Sequence, residues 1–74
     1  MSARSRVVLC DTSKLQGKTQ YEVVKQISFD RKLATSTIKY VLAKLREAGL
    51  VIYNGKVELT QLGLFIANAL EVGE

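Results

Sequence analysis

Residues 34–49 read ATSTIKYVLAKLREAG. Ile38, Val41, Leu42 and Leu45 recur at i, i+3, i+4 and i+7, the spacing that lines side chains along one face of an α-helix. Thr35 or Ser36 is placed to cap its N-terminus, because a short hydroxyl side chain accepts from the free N–H groups of the first turn. Gly49 is placed to end it, since glycine takes a left-handed C-terminal residue without steric cost. The opposite face carries Ser36, Lys39, Tyr40, Ala43 and Glu47, flanked by Thr37 and Lys44. Hydroxyls, cations and an aromatic ring on one face suit a major groove, where they meet base edges and phosphates. The same pattern also describes the solvated side of an ordinary amphipathic helix.

Downstream, residues 50–60 read LVIYNGKVELT. Two β-rich runs, Leu50–Tyr53 and Lys56–Leu59, flank Asn54-Gly55. Both residues of that pair tolerate the positive φ of a type I′ turn, so the stretch predicts a two-residue hairpin. Val57 and Leu59 alternate with Lys56 and Glu58, giving one buried and one wet face. The final stretch predicts a helix over 60–72 with Thr60 as its cap. Leu62, Phe65, Ile66 and Ala69 share one face, widened by Leu70 and Val72. Leu64 points nearly opposite, beside Gly63 and Ala67. Small residues four apart let another helix approach closely. Leu62, Gly63, Leu64, Ile66, Ala67 and Leu70 are therefore candidate homodimer contacts, the alternative being a helix packed only on its own domain.

Upstream, FDRKL at 29–33 reads as a long connection, with Phe29 and Leu33 anchoring it to the core and Arg31 and Lys32 projecting outward. Before it, Thr19-x-x-Glu22 is a capping box, and Val23, Val24 and Ile27 form the apolar stripe of a short helix over 19–28. Lys18, Thr19 and Gln20 stand at its positive end, where they either serve the cap or meet a phosphate. In 7–16 the apolar residues scatter around a helical wheel. Val7-Val8-Leu9-Cys10 fits a short buried strand or a helix buried on several sides. Gly17 would end a helix well, and Ser13-x-x-Gln16 has capping-box spacing. Residues 1–6, MSARSR, read as a flexible basic arm in which Arg4 and Arg6 touch phosphates, or as a solubilising tail.

Composition narrows the function. The 74 residues make one small domain, residues 1–74, with 47% apolar content and a net charge of +4. A small basic domain is attracted to polyanions. There is no histidine and a single cysteine, Cys10. That combination removes Ser-His-Asp and Cys-His chemistry, any histidine-containing zinc site and any thiolate cluster. No glycine loop cradles a phosphate, and no carboxylate pair suggests an acid and base. The sequence thus predicts no enzyme, cofactor, metal or small-molecule ligand. It holds no membrane span and no signal peptide. An unpaired cysteine suits a reducing cytoplasm.

The order helix, helix, hairpin, helix resembles a winged helix-turn-helix domain: mainly α with a small β-hairpin, three helices plus wing and a C-terminal helix. ATSTIKYVLAKLREAGLV is similar to the recognition helix of small prokaryotic and archaeal regulators of the MarR, ArsR and penicillinase-repressor groups. The likeness lies in its Ser/Thr-rich start, Leu-x-x-Leu spacing and Glu-x-Gly-Leu-Val exit. Val-Glu-Leu-Thr-x-x-Gly, residues 57–63, resembles their wing exit. The spacing of Val23, Ile27, Leu33 and Ile38 matches the penicillinase-repressor type, whose interhelical turn is also long. The resemblance covers about residues 19–70, and favours a helix at 7–16. A second register makes 19–28 the first helix and squeezes the second into 30–34. The resemblance implies double-stranded DNA binding by a homodimer, with residues 35–47 in the major groove. Its groove-facing candidates are Ser36, Thr37, Lys39, Tyr40 and Lys44, with Thr35 at the helix start and Lys56 beyond the wing tip. Winged helices also act as protein-interaction modules, which is the alternative function.

Overall fold

In the computed structural model, which describes residues 1–72, the chain forms α1 (Ala3–Lys14), α2 (Gln20–Arg31), α3 (Thr35–Glu47), β1 (Val51–Tyr53), β2 (Val57–Leu59) and α4 (Gln61–Val72). It is mainly helical, with one two-stranded antiparallel hairpin. Among the described residues no helix is long and apolar enough to cross a membrane.

Helix α1 occupies the middle, packed against α3, α4, α2 and β2. Val8 and Leu9 are wholly buried, and burial on several sides explains why this segment shows no single apolar stripe. Thr12 is buried too, but its hydroxyl donates to the Val8 carbonyl at 2.7 Å, so no polar group is left unpaired. The helix starts earlier than the sequence suggests. Ser2 caps it by accepting from the Ser5 amide, so Arg4 and Arg6 ride on α1 rather than on a flexible arm. Ser13 and Gln16 do not form a capping box. Ser13 donates back to the Cys10 carbonyl, and Gln16 Oε1 accepts from the Leu59 amide at 3.0 Å.

The link from α1 to α2 runs beside the hairpin. The Gly17 amide donates to the Val57 carbonyl at 3.2 Å, and the Val57 amide donates to the Lys18 carbonyl at 2.8 Å. These bonds cover the outer edge of β2, which would otherwise be an open strand edge. Helix α2 then starts on the expected capping box. Thr19 Oγ1 accepts from the Glu22 amide, and Glu22 Oε1 accepts from the Thr19 amide. Val23, Val24 and Ile27 are buried as expected.

Where α2 ends is a correction. It continues through Phe29, Asp30 and Arg31, leaving only residues 32–34 between α2 and α3. The connection is tight, not long, and a second helix at 30–34 is excluded. Lys32 closes α2 in the left-handed conformation at φ 55°, and the Leu33 amide donates to the Ser28 carbonyl at 3.2 Å. Leu33 packs on the core, but Phe29 lies 81% exposed and anchors nothing. One more turn of helix carries Phe29 onto the outer flank, in line with Tyr21 and Lys25.

Helix α3 buries Ile38, Val41, Leu42 and Leu45. Its cap is Ala34, with no side-chain hydrogen bond. Thr35 and Ser36 enter as the first two helical residues and do not cap. Gly49, at φ 80°, ends the helix in a Schellman arrangement: the Gly49 amide donates to the Arg46 carbonyl and the Leu50 amide to the Leu45 carbonyl. In the hairpin Tyr53 pairs with Val57, whereas a two-residue turn would pair it with Lys56. The tip is thus Asn54, Gly55 and Lys56. Gly55 alone in it has a positive φ, so the turn is not type I′.

Thr60 joins this hairpin to α4. Its hydroxyl accepts from the Gly63 amide at 3.0 Å and donates to the Gly49 carbonyl at 2.6 Å, while its amide donates to the Leu50 carbonyl at 3.0 Å. Gly63 then lies directly on β1's entry: a Cβ there would stand 2.0 Å from the Leu50 carbonyl oxygen. This close approach turns α4 relative to expectation. Gly63 and Ala67 face inward and are buried, and Ile66 and Leu70 pack on the core. Gly63 and Ala67, being buried, are not available for a dimer contact. Leu62, Phe65 and Ala69 are exposed, and Leu64 is at the margin of exposure.

Two substitutions test these joints. Lys32→Gly relieves the left-handed strain and should stabilise the fold by roughly 0.5–1 kcal/mol, a rise of a few degrees in Tm. Gly63→Ala forces α4 off the Leu50 carbonyl and should cost about 1–3 kcal/mol in chemical denaturation.

Candidate nucleic-acid interface

The polar side of α3 stands clear of the rest of the chain. Thr35, Ser36, Lys39, Tyr40, Ala43, Lys44 and Glu47 are all exposed, and Thr37 is half-buried. Because the buried stripe anchors the opposite side, these side chains have nowhere to point but outward. Tyr40 is 64% exposed. The Lys44 ammonium lies 5.5 Å from its ring centroid and 3.7 Å from the Glu47 carboxylate. Lys44 is thus held beside the aromatic ring and partly offset by Glu47, while Lys39 has no acidic partner on its own flank.

The start of α2 forms one wall of the same surface. Gln20, Tyr21, Val24 and Lys25 line a depression of about 380 Å³ with Thr35 and Lys39 of α3. Lys25 holds its ammonium 5.1 Å from the Tyr21 ring centroid. Tyr21 and Lys25 were missed in reading the sequence. The signal available was spacing: Tyr21-x-x-x-Lys25 repeats the pattern of Tyr40-x-x-x-Lys44. Such i, i+4 neighbours stack on a helix surface.

Lys18 and Lys56 come together beside Glu22, at the start of α2. The Lys18–Val57 backbone pairing brings the α1–α2 link against the strand that follows Lys56. Both ammonium groups act on Glu22. Its carboxyl is held below the ordinary carboxylate range chiefly by the Thr19 amide, then by the Thr19 hydroxyl, with Lys18 and Lys56 adding further attraction. Thr19 itself is spent on the cap, since its hydroxyl both accepts from the Glu22 amide and donates to Glu22 Oε1. It is therefore removed from the phosphate-contact set.

Arg31 also leaves the set. Its Nε and Nη2 donate to the two carboxylate oxygens of Asp11 at 2.8 and 2.9 Å. The Asp11 side chain is only 13% exposed. This fork clamps α2 to α1, and the hydrogen bond to Asp11, followed by its charge, raises the Arg31 pKa further. Lys32 stays exposed in the turn. At the far end of α3, Arg46 lies 5.1 Å from the Tyr53 ring centroid and ties the helix to β1. Burial pushes the Tyr53 phenol up, and Arg46 partly opposes it.

The result is an outward polar face that carries hydroxyls from Thr35, Ser36 and Tyr40 and lysines from α3 and α2. Among the described residues no three His, Cys, Asp or Glu side chains come together to hold a metal. No family model matches the chain, and no curated protein or solved structure matches it either.

The reassigned arginine gives a clean contrast. Arg31→Ala should lower stability by about 1 kcal/mol in thermal unfolding, the scale of a well-formed, partly exposed ion pair. If the α3 face binds duplex DNA, the same substitution should leave that affinity unchanged, whereas Lys39→Ala should weaken it.

Proposed function

We propose that the chain is a winged helix-turn-helix domain that binds double-stranded DNA sequence-specifically and acts as a small dimeric regulator of transcription. The observation carrying this reading is the outward polar face of α3, with Lys25 of α2 set beside Thr35 and Lys39 across a shared depression. A face of this width fits the major groove, and lysines on its flanks suit the phosphates along the groove walls. Ser36 and Tyr40, at its centre, read base edges. Lys39, Lys25 and Lys44 supply affinity. The first-turn amides of α3, which have no side-chain cap, can donate to a phosphate oxygen. The hairpin tip, with Lys56, reaches the backbone.

The dimer contact moves to the outer side of α4, onto Leu62, Phe65 and Ala69 with Leu64 beside them. Residues 61–70 contain no charged side chain, so two copies of a basic chain approach there with least repulsion. A two-fold pair would present two α3 helices to half-sites about 34 Å apart. No catalytic step and no cofactor enter this reading.

A mobility-shift titration against random duplexes, with light scattering for oligomeric state, tests it. With about four phosphates neutralised per protomer, log affinity should fall against log salt with a slope of about −7 per dimer. Tyr40→Ala should change site preference by about 1–3 kcal/mol, and Lys39→Glu with Lys44→Glu should abolish the shift. The competing reading is an interaction module that does not touch DNA. It is favoured if affinity is absent, or if neither the salt nor the lysine changes matter.

A further inference from the structure

Helix α2 carries an exposed strip that shares Tyr21 and Lys25 with the α3 surface and extends beyond it to Phe29. Tyr21, Lys25 and Phe29 follow one another at four-residue intervals, so they lie in line along the helix. Phe29 is 81% exposed, more than any other large apolar side chain among the described residues, and Tyr21 is 69% exposed. Lys18 and Lys32 bracket the strip at its two ends. The neighbouring carboxylates are already committed: Glu22 to the Thr19 amide and hydroxyl, Asp30 to the Gln26 amide nitrogen at 3.0 and 3.1 Å. Those partners are neutral and leave both carboxylates charged, so what the strip offers outward is aromatic surface on which Lys18, Lys25 and Lys32 outnumber Glu22 and Asp30 by one positive charge. A shallow depression of about 380 Å³ runs along it, from Lys18 to Phe29.

We propose that this strip docks an acidic amphipathic helix from a partner protein. Charge complementarity sets the sign: an acidic side chain faces Lys25, and apolar residues four before and four after it cover Tyr21 and Phe29. The spacing argues for a helix over a nucleic-acid strand. Eight residues of α-helix separate the rings by about 12 Å, which is the separation of positions i−4 and i+4 on a facing helix. Successive bases in a stacked strand lie about 3.4 Å apart, too close to engage both rings as neighbours. Only Tyr21 and Lys25 border the α3 depression. Phe29 lies apart from it, so Phe29→Ala separates this proposal from DNA binding.

The probe is a synthetic helical peptide of roughly four turns, with a central Glu and a Leu four residues to each side, and its Glu→Lys counterpart. Each is titrated into the isotope-labelled full chain and followed by amide shifts. The acidic peptide should perturb Tyr21, Lys25 and Phe29, and the Lys peptide should not. Phe29→Ala should weaken the acidic peptide about tenfold with Tm and the duplex mobility shift unchanged, since the ring packs on nothing. Absence of perturbation at about millimolar peptide, or equal binding of both peptides, overturns the proposal. So does an oligothymidylate that produces the same shifts and the same Phe29→Ala loss, which would assign the strip to nucleic acid.

Discussion

Everything in this chain depends on the burial of a single stripe, Ile38, Val41, Leu42 and Leu45, in the core that Val8 and Leu9 of α1 and Val23, Val24 and Ile27 of α2 share with it. A helix with a fixed inner side has a fixed outer side. The orientation of Ser36, Lys39 and Tyr40 is thus a consequence of hydrophobic burial elsewhere, not of any contact those residues make themselves. In a domain this small, where burial is barely sufficient for independent stability, every element has to contribute. The hairpin adds Val51, Val57 and Leu59, and α4 adds Ala67.

Main-chain polarity is handled with the same economy. The hairpin is too short to stand alone. It is completed by the α1–α2 link, whose Gly17 and Lys18 pair with Val57, and by Gln16, whose amide oxygen receives the Leu59 N–H. The same link positions Lys18 next to the helix start that follows it. A connection that reads as loop in the sequence therefore does two tasks, closing a strand edge and setting a cation beside Glu22.

Features whose cause is local were legible in the chain. The Thr19–Glu22 box, the α3 stripe, Gly49 as helix end, Thr60 as cap and the alternation at Val57–Leu59 each follow from residues within a turn or two of one another. Features decided by distant neighbours were not. Phe29 looks like an anchor until α2 is seen to continue past it, and that continuation depends on Lys32 accepting a conformation more often given to glycine. Arg31 looks like a surface cation until Asp11, twenty residues earlier, is brought opposite. The inner face of α4 was misjudged because Gly63 and Ala67 read as an outward contact for another helix, while the deciding factor was which residues are small enough to sit against the Leu50 carbonyl. Only Gly63 meets that requirement, and its selection rotates the whole helix. For the polar surface, the α3 residues were visible from their spacing, but Lys25 and Tyr21 emerge only once α2 and α3 cross.

The knot at Thr60 has a mechanical consequence. One threonine holds the carbonyl of Gly49, the carbonyl of Leu50 and the amide of Gly63, so the tail of α3, the foot of the hairpin and the head of α4 form a welded corner. Neither the hairpin nor α4 can swing without dragging α3. A duplex seated on α3, as proposed above, would therefore meet a rigid die, and accommodation would fall on the nucleic acid. Discrimination among sites would then include how readily each sequence bends or changes groove width, even at base pairs the protein never reaches.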